Sequence, residues 1–145
     1  MSISIEYIPN FLQDGTPSLL YYRIHKNYKS KRKPPDYISP SAIKYSPLDK
    51  KMSTNWNKYC NNLQEARRLG APQPPENYGL LSFIVRDIRL NSDLDKLKIE
   101  HEPLTDNFAH TNIDGMQRYE EISEDEYLQV QILLSRMAKW EINFD

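Results

Sequence analysis

A chain of 145 residues with 39% hydrophobic, 11% aromatic and 27% charged residues has the size and composition of one globular domain, large enough to bury a core without metal or disulfide staples. The single cysteine, Cys60, excludes an intramolecular disulfide and a cysteine-rich zinc site, and apolar runs such as the one from Leu80 to Val85 are far short of the roughly 20 residues that span a bilayer. The net charge of −1 conceals a division, since residues 1–70 hold 12 Lys/Arg against 5 Asp/Glu while residues 71–145 hold 7 against 15. Either the two halves neutralise one another within the fold, or the molecule presents a basic surface to an acidic partner. One free thiol and a start, Met1-Ser2-Ile3-Ser4, without a signal-peptide pattern predict a cytoplasmic location.

In chain order, Ile3, Ile5 and Tyr7 alternate before Pro9 and predict a short strand. Leu19, Tyr21, Arg23 and His25 alternate with Leu20, Tyr22 and Ile24 and predict a second. Lys29-Ser30-Lys31-Arg32-Lys33-Pro34-Pro35-Asp36 is charged and Pro-stiffened and reads as an exposed connection. Trp56, Tyr59, Leu63 and Ala66 recur near helical spacing, with Ser53 as N-cap and Gly70 as the left-handed C-terminal residue, so residues 54–69 are predicted helical. Asn62-Leu63-Gln64-Glu65 resembles a capping box, which leaves open two short helices broken near Asn61.

The prolines near 71–77 sustain neither helix nor central strand and form an internal connection. Beyond it, the β-branched run from Leu80 to Ile88 and the alternation of Leu97, Ile99 and His101 predict two more strands, with a turn at Asn91-Ser92-Asp93. Ser123 with Glu126 three residues later opens the clearest helix, 123–139, whose apolar stripe is Tyr127, Val130, Leu133, Leu134 and Met137. Trp140, Ile142 and Phe144 then predict a closing strand. Strands and helices in this irregular order predict one α+β domain over 1–145, a small, mainly antiparallel sheet packed against two or three helices.

Few residues combine into a recognisable chemistry, and no Gly-rich phosphate loop or GxSxG turn is present. His101 and His110 flank a polar turn containing Pro103, Asp106 and Asn107; a hairpin there brings two imidazoles together for acid–base work, or uses them only to hold the turn. Arg23 and His25 share one face of the second predicted strand with Tyr21, and Ser53-Thr54 opens the next element. That pairing resembles the strand arginine and Ser-Thr elements of ADP-ribosyltransferases. The resemblance implies that Arg23 holds NAD phosphates and that a downstream glutamate orients the ribose. Ser53 serves equally as a cap, however, and Glu120, Glu121, Glu124 and Glu126 form no third-strand motif. No cofactor or metal follows from the residues themselves.

Tyr21, Tyr22, Arg23, Lys26, Tyr28 and their neighbours mix cations with rings, the combination that single-stranded nucleic acids select, although a pI near 6.3 opposes a dedicated nucleic-acid domain. Leu20-Tyr21-Tyr22-Arg23-Ile24, Met52 to Cys60, Tyr78-Gly79-Leu80, His101-Glu102-Pro103-Leu104 with Asn107 and His110, and Ala138 to Ile142 together resemble a family of small bacterial proteins of unassigned function. That resemblance implies a bacterial cytosolic protein and no catalytic role.

The leading expectation is therefore a non-catalytic protein-binding or adaptor component of a bacterial multi-protein system. Its docking surface is Lys29, Lys31, Arg32, Lys33, Lys50 and Lys51, which only Asp36 and Asp49 can neutralise locally. The alternatives are an enzyme centred on His101 and His110 with Arg23 and His25, including ADP-ribosyltransferase-like chemistry, and a nucleic-acid binder that uses the basic half.

Overall fold

The computed structural model describes residues 4–117 and 120–144. Its first strand, β1 (Leu19–His25), follows the predicted alternation, with Leu20 and Ile24 buried. The next, β2 (Met52–Trp56), corrects the predicted helix over 54–69. Met52, Thr54 and Trp56 face the core and alternate with Ser53 and Asn55, the latter buried on the other face, a period-two pattern that the helical spacing of Trp56, Tyr59, Leu63 and Ala66 obscures. That apolar spacing runs through three elements. Trp56 ends β2, Tyr59 lies in a single 3-10 turn, and Leu63 and Ala66 belong to a separate helix, α1 (Leu63–Arg68). Asn62 caps α1 by accepting from the Glu65 amide, and Gly70 beyond its end has φ +76°, so of the two short helices in the alternative reading only the second exists, ending at the predicted Gly70.

Strand β3 (Tyr78–Ile84) stops four residues before the predicted end because Val85 opens a short helix, α2 (Val85–Leu90), that buries Val85 and Ile88 on one side. Then come β4 (Lys98–His101), the unforeseen β5 (His110–Asp114), α3 (Glu124–Met137) and β6 (Lys139–Ile142). The capping box predicted at Ser123 and Glu126 is present at the start of α3. Of the predicted first strand, Ile3 lies outside the described residues. Ile5 and Tyr7 form no strand and are 74% and 79% exposed, so nothing pairs or buries their alternation.

All five strand pairings are antiparallel, in the order β4-β5-β2-β1-β3-β6, which gives the expected α+β domain one six-stranded sheet. One face is the core: Leu20, Ile24, Met52, Trp56, Leu81, Phe83 and Ile113 pack with Tyr127, Val130 and Leu134 of α3. Leu133 and Met137 of the predicted stripe only border that cluster. Among the described residues no helix is long and apolar enough to cross a membrane.

Candidate functional site

The opposite face of the sheet is polar. Strand periodicity places Ser53 and Asn55 of β2, Tyr21, Arg23 and His25 of β1, Ser82 of β3, and His110 and Asn112 of β5 on it together, because each alternates with a core residue. Helix α1 crosses this face and is fastened there by polar side chains, with Gln73 and Asn107 of the neighbouring loops bonded to His25 and Asn55. Asn55 donates from Nδ2 to the carbonyls of Ala66 and Leu69 at 3.0 and 3.1 Å, and Arg23 donates from Nη1 to the Leu69 carbonyl. Asn107 in turn donates from Nδ2 to Asn55 Oδ1 at 2.8 Å, while its own buried Oδ1 has no hydrogen-bond partner among the described residues.

The central ladder opens a pocket. Strand β1 pairs with β3 at seven positions, from Leu19↔Ile84 to His25↔Tyr78, but with β2 only at Leu20↔Trp56 and Tyr21↔Asn55. Continued by two residues, that register would set Arg23 opposite Ser53; instead the strands part there. A depression of about 220 Å³ opens at that point, lined by Tyr22, Arg23, Lys44, Tyr45, Ser53 and Tyr78 among others. The Arg23 guanidinium lies over the Tyr78 ring, 5.9 Å from its centroid, and forms no ion pair among the described residues. Burial lowers its pKa from the ordinary arginine value, and the neighbouring tyrosines oppose that shift. A desolvated cation without a counter-ion beside an open pocket is a ready anion site. Tyr22, whose hydroxyl donates to the Ala42 carbonyl at 2.6 Å, is pushed well above the ordinary tyrosine range by burial and remains a proton donor.

Ser53 continues into a second polar group. Its Oγ lies 3.1 Å from His110 Nε2, and His110 Nδ1 lies 2.8 Å from the Glu102 carbonyl. A carbonyl only accepts, so Nδ1 carries the proton of the neutral ring, and Ser53 is left to donate to Nε2. The Glu102 carboxylate accepts from Asn112 Nδ2 at 2.6 Å and pairs with Lys51 at 3.4 Å; Glu102 is the first cause of the raised Lys51 pKa. Glu102, just past β4, lies beside His110, while His110 stands opposite Asn55 and Ser53 opposite Asn112, so Ser53 reaches His110 diagonally across the β2–β5 ladder.

The expected hairpin between His101 and His110 exists, but it does not bring the imidazoles together. His101 pairs with Thr111, and Glu102 bonds across to His110, so consecutive pairs place the two rings on opposite faces. His101 is 2% exposed among Trp56, Tyr59 and Phe108; Nδ1 accepts from the Glu6 amide and Nε2 donates to the Phe108 carbonyl at 2.8 Å. It holds the turn. His25 is likewise committed, accepting from the Asn27 amide at Nδ1 and bonding Gln73 at Nε2. Burial pushes the Cys60 thiol up to about 12, an inert state.

Of the expected docking cations, Lys50 and Lys51 pair with Glu120 and Glu102, so part of the charge division is neutralised inside the fold. Lys29, Lys31, Arg32 and Lys33 lie in an exposed segment, where the Lys33 ammonium covers the Tyr37 ring at 5.3 Å. Among the described residues no three His, Cys, Asp or Glu side chains are grouped to hold a metal ion. Sequence reasoning assigned Asn112 no role, and it placed Lys44 in the basic, ring-rich stretch and Tyr78 in the family resemblance without grouping them at a pocket. The first was findable from the alternation of His110, Asn112 and Asp114 against Thr111 and Ile113, whereas the other two arrive only through the fold. No family model, curated protein or solved structure matches the chain.

Proposed function

We propose that the pocket between β1 and β2 takes NAD or a closely similar dinucleotide, and that the chain is an ADP-ribosyltransferase-like enzyme. One observation carries this reading: Arg23 and Ser53 stand on neighbouring strands across a single pocket, where the sequence resemblance asks for an arginine and a Ser-Thr pair. The placement of Ser53-Thr54 in a strand removes the objection that these residues only cap a helix. Arg23 and Lys44 offer two cations to a pyrophosphate, and Tyr22, Tyr45 and Tyr78 offer rings to a base or nicotinamide. Glu102, just past β4 with its carboxylate held by Asn112 and Lys51, is the glutamate this reading assigns in place of one within 120–126.

The test is to titrate the protein with NAD by calorimetry and to follow release of labelled nicotinamide. Binding and release are expected, both reduced by about tenfold or more in Lys44→Glu and Arg23→Ala variants whose circular dichroism is unchanged. A wild-type protein that neither binds NAD nor releases nicotinamide overturns the reading.

A second reading, the bacterial cytoplasmic adaptor, is favoured by the exposure of Lys29, Lys31, Arg32 and Lys33 around Pro34-Pro35. Here the segment docks on an acidic protein, with nucleic acid as the other anionic partner. Association is expected to slow with salt and in the Lys31→Glu, Arg32→Glu, Lys33→Glu triple variant. Unchanged recovery of partners by that variant at low salt rejects it.

A further inference from the structure

We propose that Ser53 and His110 form a nucleophile–base pair, and that the pocket beside them hydrolyses carboxylic esters whose acyl part bears an anionic group. This goes beyond the dinucleotide reading, because it concerns what the Ser53 hydroxyl does and needs no glycosidic bond.

Three features converge on it. The first is direction: with Nδ1 committed to the Glu102 carbonyl at 2.8 Å, the Nε2 lone pair can only accept, and the group aimed at it is the Ser53 hydroxyl at 3.1 Å. A hydroxyl donating to a basic nitrogen that a third group orients is the arrangement that activates serine, here with a backbone carbonyl as the orienting group. The second is access. Ser53 is half-buried and lines the pocket, whereas His101, the other histidine of the hairpin, is sealed in the core. The third is the lining. Arg23, bonded through Nη1 to the Leu69 carbonyl, and Lys44, whose ammonium lies over the Tyr28 ring at 5.3 Å, both line the pocket; in this proposal one turns to a substrate carboxylate and the other to the oxyanion that develops on the attacked carbonyl.

The chemistry balances with water alone. Ser53 Oγ bonds to the carbonyl carbon as its proton passes to His110 Nε2. The ester C–O bond then breaks, and that proton leaves with the alcohol. Water, deprotonated by Nε2, attacks the acyl-enzyme and frees the carboxylic acid, and the proton returns to Oγ.

The experiment exposes the full chain to an alkyl fluorophosphonate and maps the adduct by peptide mass spectrometry, then measures turnover of mono-p-nitrophenyl succinate. The expected result is one phosphonyl group per chain on Ser53, none in Ser53→Ala, and labelling and turnover slowed about a hundredfold in a folded His110→Gln variant. Two results overturn the proposal: a folded wild-type protein that takes no label on Ser53, and labelling of Ser53 at a rate His110→Gln leaves unchanged. A protein that binds NAD but resists the phosphonate loses this inference and keeps the dinucleotide reading. One that labels without binding NAD does the reverse.

Discussion

Neighbouring residues along each central strand have opposite fates. Leu20, Trp56, Leu81 and Phe83 are fully buried in the apolar cluster beneath α3. Tyr21, Asn55 and Ser82, next to them in the chain, face a side crossed by six-residue α1 and fastened by side-chain hydrogen bonds. The apolar face is held by burial, a non-directional force that tolerates no missing volume. The other is held by directional bonds that stabilise little individually but fix positions closely. A protein that binds and reacts with a polar ligand needs the second kind of surface, and here the first kind supports it from behind.

The contrast breaks most visibly at Trp56. Trp56→Ala removes the largest fully buried side chain and is expected to cost about 3–5 kcal/mol in chemical denaturation, with Leu134→Ala close behind at about 2–5. On the polar face, Asn55→Ala deprives the Ala66 carbonyl of its side-chain donor and Asn107 of its acceptor, and leaves the Leu69 carbonyl to Arg23 alone. Its expected cost is about 1–3 kcal/mol, and α1 loosens, which shows as lost amide protection over 63–68. Ser123→Ala removes the N-cap of α3 and should cost about 1 kcal/mol, a mild disturbance of the apolar face from its rim. The triple reversal of Lys31, Arg32 and Lys33 touches neither face and should change stability by no more than about 0.5 kcal/mol. If Asn55→Ala proved as costly as Trp56→Ala, the distinction between a face that supports and a face that positions would fail.

How much of this was legible depended on how completely local pattern matched tertiary use. Strand β1 and helix α3 were readable because alternation in one and a capping box with an apolar stripe in the other agree with what is buried. Strand β2 was not, because Trp56, Tyr59, Leu63 and Ala66 keep helical spacing by coincidence across a strand, a 3-10 turn and a helix. Strand β5 has only Thr111 and Ile113 to bury against the core, and its outward residues, His110, Asn112 and Asp114, resemble a loop. Arg23, His110 and the Ser-Thr pair were all visible as candidates. Their grouping was not, since it depends on the pairing of β2 with β5, whose register sets Ser53 and His110 on one face.

The unequal ladders of β1 also bear on binding. With seven paired positions towards β3 and two towards β2, the sheet divides into two three-stranded blocks, β4-β5-β2 and β1-β3-β6, stitched by a short seam at Leu20, Tyr21, Asn55 and Trp56. The seam is short in backbone pairs, but Leu20 and Trp56 are fully buried in it and Asn57 bonds across it to the Leu19 amide and the Pro17 carbonyl. Arg23 belongs to one block and Ser53 to the other. Any molecule that grips both is a strap from one block to the other, and its binding free energy adds to the stability of the arrangement that holds them together.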